Sequence, residues 1–385
     1  MSLQGQRLFI TRHQLSQAHL GPDPDAPGQR PLEPGQARLA VEAFALTANN
    51  ITYAAFGEAM KYWQFFPASL QEAAAEDAAP ALGCLPVWGF ATVAESLVPG
   101  LEPGRRVWGY YPAGTHLVVA PARVSASGFV DGAAHRQELA AVYNQYLFCD
   151  ADPGWRHELE GLQAVLRPLF LTAFLLDDFL GDNAFFGAEQ LLLSSASSKT
   201  AISTAYCLAQ RRHLPGAPRV MGLTSAAHAD FVRSLGCYDA VMTYEEWPAL
   251  QAQTQTVYVD FAGNAELRRQ VHTHFGDALK FSSSIGGTHW DALGSARDLP
   301  GPRPTLFFAP AQVKARSAPP PQGWGPGELQ RRMGQAWVQF IAQVNTGDWV
   351  RIVQRPGAQA ALQAYSDVLA GRADAREGLM LDMRG

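Results

Sequence analysis

A serine-rich segment between an apolar run and a helical pattern has the residue types needed to bind a phosphate group. Leu191–Leu193 predicts a buried strand, residues 194–200 have the sequence Ser-Ser-Ala-Ser-Ser-Lys-Thr, and helical periodicity follows. A strand, a small-residue turn and a helix in this order place free backbone N–H groups and the positive end of the helix dipole beside the strand end. The candidate phosphate-binding residues are Ser194, Ser197, Ser198, Lys199 and Thr200.

The same segment lacks the glycines of the common G-x-G-x-x-G loop, whose places are taken by serine, alanine and threonine. Glycine lets the backbone approach a pyrophosphate closely, whereas serine and alanine are only the next smallest residues. A plain strand-to-helix connection whose serines cap the helix is therefore an alternative that the residues leave open.

The end of the second predicted strand, Val220–Ser225, indicates which dinucleotide would suit this unit. An acidic residue there binds the ribose 2′-hydroxyl of NAD(H) and repels a 2′-phosphate. No acidic residue is present, and Ser225 and His228 instead offer neutral or cationic hydrogen-bonding groups. The pattern favours NADP(H) over NAD(H).

An aromatic-rich segment, residues 49–67, and the tyrosines near residue 145 supply candidate groups for proton transfer and substrate contact. A phenol can donate a proton to an enolate. The candidates are Tyr53, Tyr62, Tyr143 and Tyr146, and we assign the role to Tyr143 and Tyr62. Lys61 is a candidate for polarising a carbonyl or lowering the pKa of a nearby phenol. The candidate substrate-contacting residues of the segment are Asn49, Tyr53 and Trp63. The alternatives are a loop folded onto its own core, tyrosines that only pack, and a solvated Lys61.

The elements that would position these residues change in type along the chain. Residues 37–120 form short strand patterns separated by glycine and proline, which predicts an antiparallel, barrel-like region. A helical pattern over residues 155–180, broken at Pro168, leads into a βαβαβ series over residues 189–260. The remaining predicted elements are strands at 278–285, 307–310, 349–353 and 378–382 and helices at 327–344 and 358–370. The fold class is therefore α/β.

Length and composition bound the class of protein. A chain of 385 residues exceeds the usual size of a single core, which predicts two domains. Its formal net charge is −5 and it has no block of Lys or Arg, so nucleic acid is not an expected partner. The four cysteines are far apart and fit free thiols in a reducing compartment. We expect a cytoplasmic protein without a membrane-spanning segment.

In this order, the segments resemble the medium-chain dehydrogenase/reductase superfamily, and within it the zinc-free quinone oxidoreductase-like branch. Residues 45–57 look like an early motif ending in Asn-x-x-Asp, with Asn49 in the Asn place and Thr52 replacing Asp. Residues 101–107 resemble the "VGDRV" turn, residues 171–173 the "GLTA" helix, and residues 235–237 the "LGA" turn. The resemblance implies a GroES-like domain over 1–154 and 309–385, with a Rossmann domain inserted over 155–308.

The resemblance also implies further site residues and an assembly. Thr172 would face the nicotinamide and Tyr244 would flank the adenosine phosphate. Asn144 would hydrogen-bond the cofactor or substrate, and the turn at Gly286 would approach the nicotinamide. His289, in the same turn, is a candidate for substrate contact and proton donation. Members of the superfamily bind the cofactor in an interdomain cleft and often pair into homodimers, so both are expected here.

More narrowly, residues 143–146, 194–201, 287–290 and 307–310 look like an uncharacterised, domain-of-unknown-function branch of this superfamily. The zinc-dependent members carry a catalytic Cys, a His-Glu pair and a second Cys or His, together with a four-cysteine lobe. This complete ligand set does not occur in the sequence, so no metal site is expected.

Together these features predict a zinc-independent, NADP(H)-dependent oxidoreductase acting on a quinone or an α,β-unsaturated carbonyl. The substrate would be a small apolar or conjugated carbonyl compound. A non-catalytic dinucleotide-binding or scaffold protein is the main alternative, because fold alone does not establish function. A lyase or hydrolase using His289 and the tyrosines is a third reading.

Overall fold

The computed structural model describes residues 5–68, 81–285 and 299–384. They contain the strands β1 Gln6–Thr11, β2 Ala18–Pro22, β3 Ala37–Leu46, β4 Leu82–Cys84, β5 Pro86–Ser96, β6 Arg106–Pro112, β7 His116–Val119, β8 Pro121–Ala122, β9 Gly128–Asp131, β10 Gln145–Phe148, β11 Gln190–Leu193, β12 Arg219–Thr224, β13 Ala240–Thr243, β14 Thr256–Asp260, β15 Leu279–Ser284, β16 Thr305–Leu306, β17 Arg351–Pro356 and β18 Glu377–Asp382. The α-helices are α1 Ala48–Ala55, α2 Glu160–Asp182, α3 Lys199–Ala209, α4 Ala229–Ser234, α5 Ala265–Phe275, α6 Ala309–Ser317, α7 Pro326–Thr346 and α8 Ala358–Leu369.

The chain divides into two compact units. The first comprises residues 1–165 and 350–385, and the second comprises residues 166–349. The first unit contains a nine-stranded sheet in the order β17-β18-β3-β5-β6-β10-β9-β8, with β7 paired to β3, and a three-stranded sheet β2-β1-β4. All pairs in these sheets are antiparallel except β17 with β18. This agrees with the antiparallel region predicted from the glycine- and proline-punctuated strands.

The second unit is built on a six-stranded parallel sheet in the order β13-β12-β11-β14-β15-β16. Every residue of β11 and β14 is buried, as expected for strands covered by helices on both faces. The order corresponds to the 3-2-1-4-5-6 arrangement of a doubly wound dinucleotide-binding fold, so the predicted Rossmann-type α/β fold is confirmed. The direction of winding reverses between β11 and β14, and the carboxyl ends of these strands mark the position where such folds bind ligands.

Helix α2 corrects the predicted break at Pro168, because it continues through that residue from Glu160 to Asp182. Proline removes one N–H donor but keeps a helical φ, and packing on the core can offset the lost bond. The segment His157–Asp182 is long and apolar enough to cross a membrane by length and composition alone. However, 56% of its apolar window is buried inside the protein, as in the core helix of a soluble protein, which passes the same test.

Residues 309–349 lie in the second unit, whereas the sequence analysis assigned them to the first domain. The ring of Phe170 in α2 lies 4.7 Å from that of Phe340 and 5.7 Å from that of Trp337, both in α7. This aromatic contact attaches the segment to the helices of the parallel sheet. In addition, Ala309 and Pro310 begin helix α6 and are not extended as predicted.

Candidate functional site

The carboxyl edge of the parallel sheet is held together by Ser194 and Asp260. The Ser194 hydroxyl donates to Asp260 Oδ1 at 3.0 Å and accepts the backbone N–H groups of Phe261 and Ala262, each at 3.0 Å. Ser194 is fully buried, and its own N–H donates to the Val259 carbonyl. Its hydroxyl therefore joins the ends of β11 and β14 across the switch point, and the structure gives this predicted phosphate-binding residue a positioning role.

A buried ion pair completes this edge. Arg268 of α5 contacts Asp260 Oδ2 through Nε at 2.9 Å and Nη2 at 2.8 Å. The Gly263 N–H donates to Asp260 Oδ1 at 2.9 Å. The side chains of Asp260 and Arg268 are both almost completely buried, which makes this a paired charge in a low-dielectric environment.

The loop between β11 and α3 adopts a glycine-like conformation without containing glycine. Ser195 has a φ of 48°, in the left-handed region that favours glycine. Its N–H donates to the Tyr244 hydroxyl at 3.1 Å, which holds the loop in place from the far side of β12. Ser198 is the N-cap of α3, and its hydroxyl accepts the Ala201 N–H at 3.4 Å. The loop thus contains a left-handed residue and a capped helix start without any glycine.

Ser197, Ser225 and His228 come together at the end of β12. The Ser197 hydroxyl lies 3.3 Å and the Ser225 hydroxyl 3.2 Å from Nδ1 of His228. Ser225 and His228 are half-buried and the end of β12 carries no carboxylate. The first acidic residue beyond the strand, Asp230, is exposed and pairs with Arg233.

The other predicted cofactor-binding residues of the second unit lie on its helices. Lys199 and Thr200 begin α3 and are half-buried. Thr172 of α2 is also half-buried, and its hydroxyl donates to the Pro168 carbonyl at 3.4 Å. Gly286 and His289 lie outside the described residues, so their predicted roles stay predictions.

The donor set at this edge fits NADP(H). The first turn of α3 offers backbone N–H groups, serine and threonine hydroxyls and the lysine of position 199 to a pyrophosphate. Ser225 and His228 offer neutral or cationic groups to a 2′-phosphate, with no carboxylate at the strand end to oppose it. Within residues 5–68, 81–285 and 299–384, no three His, Cys, Asp or Glu side chains are grouped so as to hold a metal ion.

Four tyrosines of the first unit, together named here the tyrosine cluster, pack around one another. They are Tyr53, Tyr62, Tyr110 and Tyr143, with ring centroids 4.7–6.1 Å apart for the pairs in contact. The hydroxyls of Tyr62 and Tyr143 are 3.2 Å apart. The Tyr53 hydroxyl accepts from Trp88 Nε1 at 3.2 Å. The cluster thus joins two of the predicted proton donors directly.

Burial determines the acid–base state of this cluster. Removal from water raises the pKa of Tyr62 and of Tyr143 well above the usual value of a phenol, and the neighbouring Tyr53 raises both further. Both groups therefore stay protonated at neutral pH and can act as donors rather than bases. The Lys61 side chain is exposed and the pKa of the adjacent Tyr62 is raised, so the role of Lys61 in lowering the pKa of a nearby phenol stays a prediction.

Trp63 occupies other surroundings than those expected from its predicted role, whereas the predicted role of Asn144 stays a prediction. Trp63 is 2% exposed and fills the space over Gly57 and Gly83, where an added Cβ would lie 2.0 Å and 2.4 Å from its ring. It is therefore a core residue rather than part of a pocket surface. The Asn144 amide donates to the Arg136 carbonyl at 3.0 Å, and its buried Oδ1 has no hydrogen-bond partner.

Sequence reasoning missed several residues of the two sites. Trp88 and Tyr110 enter the tyrosine cluster from the adjacent strands β5 and β6, on which they are register partners. The alternation of these strands predicts only that both side chains share one face. Asp260 was also missed as the anchor of this edge, and the signal for it was a lone carboxylate directly after the apolar run Val257–Val259.

Comparisons with known proteins agree with this architecture. The CurK enoyl reductase structure has a TM-score of 0.56 and 14% identity, covering 99% of both chains. The CurA–NADPH complex from Vibrio vulnificus has a TM-score of 0.57 and 12% identity over 98% of this chain and 99% of that one. The quinone oxidoreductase from Coxiella burnetii has a TM-score of 0.51 and 12% identity, with the same coverage.

At these identities the likeness establishes the fold alone, and it confirms the predicted combination of a Rossmann-type parallel sheet with a mainly antiparallel GroES-like sheet. None of the curated proteins matches the sequence. A family model described as "Protein of unknown function (DUF2855)" matches residues 44–374, which is most of the chain. This confirms the predicted resemblance to an uncharacterised branch with this fold, and the chain belongs to the DUF2855 family.

Proposed function

We propose that the protein is a zinc-independent, NADP(H)-dependent oxidoreductase that reduces a quinone or an α,β-unsaturated carbonyl compound. The observation that carries the proposal is the carboxyl edge of the parallel sheet, where a glycine-like serine loop precedes α3 and β12 ends without a carboxylate. Solved structures with the same fold include an enoyl reductase, a quinone oxidoreductase and a complex with NADPH.

The residues of the second unit would bind and orient the cofactor. The first turn of α3, with Ser198, Lys199 and Thr200, would hold the pyrophosphate. Ser197, Ser225 and His228 would hold the 2′-phosphate, and Tyr244 would keep the loop in its binding conformation through the Ser195 N–H. When bound, the reduced nicotinamide supplies the hydride.

The tyrosine cluster would supply the proton. Tyr143 and Tyr62 share a hydrogen bond, so either hydroxyl can donate to a developing enolate oxygen or carbanion while the other stabilises the resulting phenolate. The aromatic rings around them would shape an apolar surface for a conjugated substrate. Lys61 and Asn49 are given no direct part in this proton transfer, since Lys61 is exposed and Asn49, in α1, is half-buried.

We predict that the protein binds NADPH at least tenfold more tightly than NADH. The Ser225→Asp variant should lose most of this preference, because the new carboxylate repels a 2′-phosphate and accepts a ribose hydroxyl. The Lys199→Ala variant should lower the affinity for both NADPH and NADH by about tenfold, since a charge-assisted contact to the pyrophosphate is lost. Titration followed by nicotinamide fluorescence measures all three changes.

The matched control is Ser234→Asp, which adds the same charge on the exposed side of α4. It should leave the preference for NADPH unchanged.

Absence of saturable binding of either nucleotide to the wild-type protein would reject the oxidoreductase proposal and favour a non-catalytic protein. That alternative has one observation in its favour, namely that the Ser194, Ser197 and Ser198 hydroxyls all have partners within the protein. Turnover of NADPH with a panel of enones and quinones then tests the substrate class.

A further inference from the structure

Two adjacent serines at the end of β15, Ser283 and Ser284, carry buried hydroxyls without a hydrogen-bond partner. Ser283 is 1% exposed and Ser284 is 4% exposed. Most buried hydroxyls in native proteins are paired, so an orphaned one at the carboxyl edge of a parallel sheet points to a group that the protein itself does not provide.

The two serines face opposite sides of the sheet. The Ser282 hydroxyl lies 2.9 Å from Nε2 of His272 in α5, so the even-numbered positions of β15 face α5. The ring of Phe281 lies 5.8 Å from that of Phe179 in α2, so the odd-numbered positions from Phe281 onward, beyond the register shift that precedes it, face α2. Because side chains alternate along a strand, Ser283 faces α2 and Ser284 faces α5.

The face that Ser283 shares with α2 is also the face covered by α3. Arg211, two residues beyond the end of α3, forms a bidentate pair with Asp177 of α2, at 2.7 Å and 2.8 Å. Tyr206 of α3 and Phe170 of α2 both contact Phe340. Ser283 therefore lies on the side of the sheet on which the N-terminus of α3 would hold a pyrophosphate.

The position of β15 along the sheet indicates which part of a dinucleotide would reach it. Ser225 and His228, the residues that would bind the 2′-phosphate, follow β12, which lies on one side of β11. β15 lies on the other side, beyond β14, at about 10 Å from β11 for a strand spacing of about 4.8 Å. A dinucleotide that spans the switch point with its adenosine over β12 places its nicotinamide half toward β14 and β15.

Thr172 is on the same side. It lies seven residues before Phe179, which puts both on one stripe of α2. Helix α2 ends at Asp182 and only seven residues separate it from β11, so its C-terminus lies at the amino edge and Thr172 lies nearer the carboxyl edge. The helix advances about 10 Å over these seven residues, and β15 advances about 7 Å from Phe281 to Ser283. Both hydroxyl residues thus approach the carboxyl edge on one face.

We propose that the Ser283 hydroxyl binds the carboxamide of the nicotinamide, on the face that also presents Thr172. A hydroxyl can both donate to the carboxamide oxygen and accept from its nitrogen, which suits this neutral amide. The assignment rests on the proposed function, because it requires the cofactor to bind at this edge. Ser284, an equally buried and unpartnered hydroxyl, is on the opposite face and does not take part.

The test compares two ligands and two variants of the full chain. NADPH contains the nicotinamide, whereas 2′-phospho-ADP-ribose contains the same adenosine and pyrophosphate groups without it. Ser283→Ala should weaken NADPH binding by about fivefold to tenfold, as expected for one neutral hydrogen bond, and change 2′-phospho-ADP-ribose binding by less than twofold. Ser284→Ala should change neither affinity. Calorimetry measures both ligands without any turnover.

The thermal midpoint of each variant separates binding from stability. Alanine is smaller than serine and removes an unpaired hydroxyl, so both variants should unfold at or above the wild-type midpoint. Equal NADPH affinity of Ser283→Ala and wild type would overturn the assignment, and so would equal weakening of both ligands. Failure of the wild-type protein to bind either ligand would instead reject the proposed function itself, which keeps the two failures distinguishable.

Discussion

Replacing Tyr143 by phenylalanine is expected to lower kcat for an active enone or quinone by about a hundredfold, while the Kd for NADPH changes by less than twofold. The variant keeps the aromatic ring and its packing but removes the hydroxyl that lies 3.2 Å from Tyr62. General acid catalysis by a positioned side chain contributes about a hundredfold or more, and proton transfer from water replaces it poorly. Single-turnover measurements with saturating NADPH report this loss.

The companion variants distinguish a chemical role from a packing role. Tyr62→Phe should reduce kcat by a similar or smaller factor, because its hydroxyl is the hydrogen-bond partner of Tyr143. Tyr110→Phe is the matched control, since the Tyr110 hydroxyl is buried in the same cluster but has no hydrogen-bond partner. Equal losses in Tyr110→Phe and Tyr143→Phe would show that the cluster matters only through its packing.

Proton donation by Tyr143 and Tyr62 predicts how the rate depends on pH. Burial raises the pKa of Tyr143 and Tyr62, so the protonated donor form persists as the pH rises past the ordinary phenol range. The rate of the proton-transfer step should therefore stay constant between about pH 7 and pH 9. The raised pKa values also predict how stability depends on pH. The tyrosines of the unfolded chain ionise at their ordinary pKa of about 10, before those of the folded protein, so folding is disfavoured only above that pH.

The second large effect is expected in stability. Asp260→Ala should lower the free energy of unfolding of the second unit by about 3–5 kcal/mol, because it leaves the guanidinium of Arg268 buried without its counter-charge. The variant also removes the acceptor of the Ser194 hydroxyl and of the Gly263 N–H. Thermal and urea unfolding followed by circular dichroism measure the change.

The double variant Asp260→Ala, Arg268→Met provides the control. It removes the unpaired charge while keeping a long side chain, so it should regain a substantial part of the lost stability. If the double variant were less stable than Asp260→Ala, the unpaired guanidinium would not be the cause of the loss. NADPH affinity should fall in both variants, because Ser194 and Asp260 together align the ends of β11 and β14.

Local sequence pattern was sufficient to predict the parallel sheet and the residues around the serine loop between β11 and α3. The run Leu191–Leu193, the small-residue turn and the following helix occur within about twenty residues, and the N-cap at Ser198 depends on its immediate neighbours. The absence of a carboxylate after β12 is likewise a property of the sequence alone. Such features are local, so they can be predicted without knowing how distant elements pack.

Contacts between residues far apart in the sequence could not be predicted from such patterns. The Ser194 hydroxyl donates a hydrogen bond to Asp260, 66 positions away, and the Tyr62 hydroxyl forms a hydrogen bond with that of Tyr143, 81 positions away. An amphipathic helix likewise does not reveal which surface it covers, which is why residues 309–349 were assigned to the other domain.

The sequence by itself determined that a βαβ unit with a serine loop exists, which dinucleotide its second strand end would tolerate, and which residue types could donate a proton. The tertiary structure alone decided which hydroxyls are engaged within the protein and which remain without a partner. The physical reason is that hydrogen bonds and ring contacts depend on distances of a few ångströms between elements far apart in the chain, and these distances are set by strand register and helix packing.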